Sequence, residues 1–121
     1  MSNHPIVHIE LSTRDRVVDA GFYNKLFGWE FEQMPEMNYA TFNAEGGPGG
    51  GLNPVNENYP AGSVVVYVET EDINATLAKV EKLGGKSLMP PREIPDVGWI
   101  ALFRDLTGNM VGLLEPKMGN P

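Results

Sequence analysis

The sequence repeats one pattern of features. Residues 6–28 and 62–84 both run from an apolar stretch through a polar step and a helix-like stretch to a glycine, 56 residues apart. Self-similarity at such a period indicates one supersecondary unit used twice. A chain of 121 residues has room for one compact domain shared by two half-domains. We therefore predict a single domain over residues 1–121, with modules over 5–55 and 62–116.

The first copy shows the order strand, helix and three strands. Val7, Ile9 and Leu11 alternate with polar residues, which is typical of a strand with one covered face. The spacing of Ser12 and Asp15 resembles a helix-entry box, and the helical pattern that follows ends at a glycine. After two further strands, a glycine-dense segment leads into the fourth, where it predicts either close backbone packing or a mobile lid.

The second copy repeats this order. A β-branched run at 63–68 predicts a strand, and Asp72 is predicted to cap the helix that follows. A short strand at 87–89 is expected to stop at Pro90 and Pro91. The fold class is therefore α+β, with two βαβββ modules forming a cupped, mostly antiparallel sheet and helices outside. The modules pair either within one chain or by exchange between two chains.

Charge and composition exclude several classes of partner. Nine basic and sixteen acidic residues give a net charge of -7, which repels nucleic acid and anionic membranes and favours a cationic small molecule. There is no cysteine, so disulfide and thiolate chemistry are excluded. No apolar run approaches the length of a membrane span. These features predict a cytoplasmic protein, and exposed sheet edges favour a homodimer.

Several segments resemble one superfamily when they are read together with the two βαβββ copies. These are VHIEL, FYNKLFGWEF, GGL, the helix ending KLGGK, and the tail GWIALFRDLTGNMVGLLEP. They resemble the vicinal oxygen chelate superfamily, which includes glyoxalase I, bleomycin-resistance proteins and extradiol dioxygenases. The likeness runs over residues 5–116 and is specific for the fold, since this scaffold hosts many reactions.

In the metal-dependent members, the resemblance implies four ligands, one from the first and one from the last strand of each module. His8 lies at the first position, and its imidazole is compatible with Zn, Ni, Fe or Mn. The internal repeat places Val64 opposite His8, and the remaining positions fall at Gly51 and Gly112. Because stable sites generally need three or more protein ligands, we expect no complete metal site at these positions.

Other residues are candidates for binding a ligand in the cup. His8 and Glu10 either recognise a ligand and transfer protons, or form a buried polar pair whose two members hydrogen-bond to each other. Glu115 falls on the opposite strand face from Gly112 and is expected to be a solvated or interfacial charge. Aromatic residues that line the cup would suit a flat or cationic compound. The candidate ligand-binding residues are His8, Glu10, Tyr39, Tyr67, Trp99 and Phe103.

Three functions are compatible with these observations. The first is a small-molecule-binding protein that lacks the full metal site and holds an organic ligand in its apolar cup. The second, which the resemblance implies, is a metal-dependent lyase or isomerase like glyoxalase I, with His8 as a metal ligand. A lactoylglutathione lyase-like or dioxygenase-like enzyme belongs to this second class. The third is a dimerising module whose cup is filled by its own side chains. Catalytic residues are not identified.

Overall fold

The first half of the chain forms a βαβββ unit in the computed structural model, which describes residues 3–117. A short 3-10 turn at Pro35–Met37 separates the second and third strands. The elements are β1 (Ile6–Thr13), α1 (Arg16–Phe27), β2 (Phe31–Met34), β3 (Tyr39–Phe42) and β4 (Gly49–Pro54).

The second half repeats the unit. Its elements are β5 (Val64–Glu69), α2 (Ile73–Lys82), β6 (Lys86–Ile94), β7 (Gly98–Arg104) and β8 (Met110–Pro116). The predicted α+β class with two βαβββ modules is therefore confirmed.

Each module contains a four-stranded stretch of sheet with the same order. The first runs β2-β3-β4-β1 and the second runs β6-β7-β8-β5. In each stretch the first and last strands of the module pair in parallel. The other pairs within each module are antiparallel, as the prediction of a mostly antiparallel sheet requires.

The chain packs as two compact units. One is Val7–Val65, and the other combines the residues from Val66 onward with the N-terminal residues up to Ile6. In the second unit, the Glu69 amide donates to the Pro5 carbonyl at 2.9 Å. The module bounds 5–55 and 62–116 describe the sequence repeat. The division into compact units does not test them, so they stay a prediction.

Both helices begin at an aspartate that follows a threonine by two residues. The Asp15 carboxylate accepts from the amides of Val17 and Val18, while Asp72 accepts from the amide of Ala75. Asp72 was predicted as a cap, and at α1 the N-cap is Asp15 and not Ser12. Asp15 and Asp72 lie 57 residues apart, whereas the left-handed glycines that follow the helices, Gly28 and Gly84, lie 56 apart.

The predicted offset of 56 residues between the two copies is therefore wrong by one residue at the strands. The second copy is one residue shorter between its helix cap and the glycine that follows the helix. The strand register agrees with this offset: Glu10 pairs with Gly51, and Tyr67 pairs with Gly112. The counterpart of His8 becomes Val65 instead of Val64, and this residue is also apolar.

The strand predicted at 87–89 is longer than expected. β6 continues through Pro90 and Pro91 to Ile94, with register irregularities between Ser87 and Met89 and between Met89 and Arg92. β6 is the last strand in its sheet order. Proline is tolerated at such positions because an edge strand needs no amide donor on its outer side.

Each helix covers one face of its own strands. Ala20 of α1 packs with Ala40 and Leu52, and Leu11, Tyr23 and Phe31 surround this cluster. In the second unit, Ile73 and Leu77 of α2 pack with Ala101 and Leu113. Because side chains alternate along a strand, the neighbours of these residues project from the opposite face. Among residues 3–117, no helix is long and apolar enough to cross a membrane.

Candidate functional site

A chain of hydrogen bonds joins three polar side chains on the first module, on the sheet face opposite α1. His8 Nε2 lies 2.7 Å from the Tyr39 hydroxyl oxygen, and the Tyr39 hydroxyl donates to Glu10 Oε2 at 3.0 Å. All three side chains are half-buried. The structure thus brings together three of the six candidate residues, and we call them the His8–Tyr39–Glu10 relay.

The directions of these bonds fix the tautomer of His8. Since the Tyr39 hydroxyl gives its one proton to Glu10, His8 Nε2 must donate to the Tyr39 oxygen. Burial lowers the pKa of His8 below its ordinary value of 6.5, so the imidazole is neutral near pH 7. A neutral imidazole that is protonated on Nε2 presents a lone pair only at Nδ1.

Tyr59 belongs to this site and was not predicted from the sequence. Its side chain is buried, and its hydroxyl donates to the Glu10 backbone carbonyl at 3.0 Å. Burial, and secondly the negative charge of Glu10, raise the pKa of Tyr59 well above its usual range. Tyr59 follows an Asn-Glu-Asn turn and precedes a proline, a pattern that predicts a loop and gives no sign of burial.

Tyr39 fills the space in which a side chain at position 51 would lie. A Cβ built on Gly51 would be 1.9 Å from the Tyr39 hydroxyl oxygen and 2.2 Å from its Cζ. The Tyr39 phenol therefore occupies the place of one ligand side chain that the superfamily resemblance implies.

In the second module a tyrosine also covers the equivalent glycine, but Tyr67 lies on β5 and corresponds in register to Glu10, not to Tyr39. A Cβ built on Gly112 would be 2.4 Å from Cδ2 and 2.5 Å from Cε2 of the Tyr67 ring. Here the edge of the ring, and not the hydroxyl, covers the glycine. Tyr67 is buried and takes the place of a second implied ligand.

The residues present do not fit a divalent ion at the implied positions. Val65, Gly51 and Gly112 offer no side-chain donor, and at both glycines a tyrosine occupies the volume of a larger side chain. Metal sites in proteins generally need at least three side-chain ligands. Within residues 3–117, no group of three or more His, Cys, Asp or Glu side chains could hold a metal ion.

The remaining aromatic candidates lie elsewhere. Phe103 packs against the cluster of Ile73, Leu77, Ala101 and Leu113, on the face that α2 covers. Trp99 is two residues from Ala101 on the same strand face and is 40% exposed. Tyr67 projects from the opposite face, since its neighbour Val68 packs against that same cluster. The structure therefore separates Trp99 and Phe103 from Tyr67.

Glu115 and the glycine-dense segment have structural roles. Glu115 is a half-buried carboxylate that accepts from the Ile73 amide at 2.8 Å and so caps α2. This contact corrects the expectation of a solvated charge, while an interfacial role stays a prediction. Gly49, Gly50 and Gly51 belong to β4, and a Cβ at Gly50 would lie 2.0 Å from the Ile9 carbonyl oxygen. Close packing against backbone at Gly49 and Gly50, and against the Tyr39 side chain at Gly51, accounts for these three strand glycines.

Comparison with known proteins agrees with this architecture. A family model of the Glyoxalase/Bleomycin resistance protein/Dioxygenase superfamily matches residues 6–113. The chain belongs to this superfamily. The predicted resemblance is thus confirmed, and the superfamily model covers both βαβββ modules.

Relatives and solved structures of the superfamily show how far the likeness extends. A glyoxylase-like domain-containing protein of Didymella fabae is 32% identical over 109 residues, which cover 84% of this chain and 85% of that protein. "Putative glyoxylase CFP32" of Mycobacterium bovis is 30% identical over 116 residues, or 88% of this chain, which spans only 44% of the relative's length. Methylmalonyl-CoA epimerase from Mycobacterium tuberculosis has a TM-score of 0.74 at 15% identity, covering 96% of this chain and 89% of that one. The last likeness concerns the fold alone.

Proposed function

We propose that this superfamily member binds a small organic molecule, and that the His8–Tyr39–Glu10 relay recognises a polar group of that ligand. The observation that carries the proposal is the chain of two hydrogen bonds that passes through the Tyr39 hydroxyl. A half-buried polar network held by hydrogen bonds is pre-organised, so a ligand loses little free energy in ordering it.

The relay offers complementary groups to such a ligand. Tyr39 presents a phenol ring with a hydroxyl, His8 a neutral imidazole, and Glu10 a carboxylate. A ligand hydroxyl or amine can donate hydrogen bonds to the oxygens of the relay, because the protons of His8 Nε2 and of the Tyr39 hydroxyl are already donated within it. The carboxylate and the net charge of -7 favour a neutral or cationic ligand over an anionic one. An aromatic surface beside a carboxylate suits flat cationic compounds.

The experiment is a thermal-shift screen against metabolites and antibiotics. A compound present at 100 times its Kd stabilises the native state by about 2.7 kcal/mol, which raises the Tm measurably. Tyr39→Phe removes the hydroxyl and keeps the ring, and we expect it to weaken binding about 10-fold. Tyr23→Phe is the matched control, because Tyr23 packs on the α1 side of the sheet. The proposal fails if no compound raises the Tm, or if Tyr39→Phe binds as tightly as Tyr23→Phe does.

Elemental analysis tests the metal-dependent lyase or isomerase. Stoichiometric divalent metal that is lost in His8→Ala would establish that function in place of the proposed one.

The proposal also includes a homodimer in the cytoplasm. Light scattering on the purified protein would measure twice the mass of the chain if the dimer forms, and a single-chain mass would contradict it.

A further inference from the structure

Helix α1 is apolar on its exposed side as well as on the side that packs on its sheet. Every residue of α1 is described, and five of its large apolar side chains are more than half exposed: Val17, Val18, Phe22, Leu26 and Phe27. Three of them follow a spacing of four residues and so share one side of the helix. We call Val18, Phe22 and Leu26 the α1 stripe. A helix that is apolar all round is normally covered all round.

Helix α2 shows that the fold does not require such a stripe. Counted from the two N-caps, Val18 and Phe22 correspond to Ala75 and Lys79, which are also exposed. The counterpart of Leu26 is Leu83, which lies just beyond the end of α2. The middle of the same helix surface therefore carries a phenylalanine in one module and a lysine in the other. The apolar surface of α1 is a property of this helix and calls for a partner.

The exposed rings are held in place by other rings. Phe22 meets Tyr23 edge to face, with ring centroids 5.2 Å apart and an interplanar angle of 76°. Phe27 packs on Trp29 with centroids 5.0 Å apart, and Trp29 stacks on Tyr23. Aromatic side chains that are ordered before association lose little conformational freedom on binding, which makes them effective anchors of an interface.

The exposed apolar surface of α1 has the size of an interface core. Each exposed phenylalanine contributes about 100 Å², and the five side chains together expose roughly 500 Å². An apolar patch of this size on one chain often marks an interaction site. It would supply more than half of the ~800 Å² that each partner buries in a standard interface.

The charges of α1 favour a second copy of this chain as the partner. The chain has a net charge of -7, yet residues 15–27 contain two acidic and two basic residues. Asp19 lies in the first turn of α1 and Lys25 in the last turn. When two such helices lie antiparallel, the acidic first turn of each is beside the basic last turn of the other. A surface that is apolar in its middle and oppositely charged at its ends is self-complementary, as a two-fold interface requires.

We propose that two copies of this chain associate through the α1 stripe, with the helices antiparallel and Phe22 near the two-fold axis. Phe22 lies at the middle of Arg16–Phe27, where two antiparallel copies of the helix would cross. The inference rests on the homodimer of the proposed function and names its interface. It does not involve the His8–Tyr39–Glu10 relay, which lies on the opposite face of the sheet.

Sedimentation equilibrium on the whole chain tests this interface. We expect Phe22→Glu to raise the Kd of the dimer at least about 100-fold, because a two-fold interface contains the change twice. Lys79→Glu is the matched control, since it places a carboxylate at the corresponding position of α2, and it should leave the Kd unchanged. A wild-type monomer would overturn the inference together with the homodimer. A dimer that withstands Phe22→Glu as well as Lys79→Glu would overturn the inference alone.

Disulfide cross-linking tests the antiparallel geometry, because the chain has no cysteine of its own. On mild oxidation, Phe22→Cys should link two copies, and so should a mixture of Val18→Cys with Leu26→Cys. Lys79→Cys is the control on α2 and should stay a single chain. Links of Val18→Cys to itself in place of Leu26→Cys would indicate parallel helices and contradict the proposal. Phe22→Cys that forms no link would refute it even if Phe22→Glu does not fold.

Discussion

Replacing Gly51 with alanine is expected to destabilise the protein far more than the size of one methyl group suggests. The three atoms nearest to the added Cβ all belong to Tyr39, at 1.9, 2.2 and 2.5 Å, so the ring must move. Its displacement breaks a neutral hydrogen bond to His8, worth about 1 kcal/mol, and a charge-assisted one to Glu10, worth about 2 kcal/mol. Overpacking adds about 1 kcal/mol or more. The total loss is about 4 kcal/mol, a large part of the stability of an ordinary domain.

Urea denaturation, followed by far-UV circular dichroism, measures this loss. Gly21→Ala is the matched control: Gly21 lies inside α1 with no atom within 4 Å of its added Cβ, so alanine should stabilise by about 0.5–1 kcal/mol. When Tyr39 is already alanine, Gly51→Ala should cost less than about 1 kcal/mol, which gives a coupling free energy of about 3 kcal/mol. A loss below about 1 kcal/mol in the wild-type background would refute this reasoning.

Three further predictions concern single residues. Glu115→Ala removes an acceptor from the Ile73 amide and should lower the free energy of unfolding by about 1 kcal/mol; an unchanged urea midpoint would argue against this cap. Tyr59→Phe removes the bond to the Glu10 carbonyl and should cost about 1 kcal/mol. In the wild type, ultraviolet titration should find a tyrosine that ionises far above the usual range, and an unchanged titration curve in Tyr59→Phe would contradict the assignment. Because the pKa of His8 is lowered by folding, the unfolded state binds this proton more readily, so wild-type stability should fall relative to His8→Gln as pH drops through 6.5. A difference that stays constant with pH would contradict this.

The sequence predicts the order of elements well because its local signals are strong. Alternation along β1, the cap at Asp72 and the glycines after both helices are decided by neighbouring residues, whereas the entry box read from Ser12 missed Asp15 as the cap of α1. The length of β6 was missed because tolerance of proline depends on the strand being at an edge, a property of the sheet order. The offset of the repeat was wrong by one residue, since nothing local reveals that the second copy is shorter.

The candidate site was predicted only in part. Strand alternation correctly places His8 and Glu10 on one face, but the role of Tyr39 depends on β3 lying beside β4, where a glycine leaves room for its phenol. Tyr59 was missed because a loop residue gives no periodic signal of burial. Phe103 was grouped with the site residues because aromatic character alone does not tell which face a strand residue occupies.

The most direct test of the relay follows His8 by ¹⁵N NMR while a stabilising compound from the thermal screen is added. We predict that the His8 imidazole resonances shift in proportion to occupancy. Those of His4 should not shift, because its ring bonds to the Glu69 carbonyl within the unit that does not contain His8. A compound that raises the Tm and leaves the resonances of His8 unchanged would contradict the account.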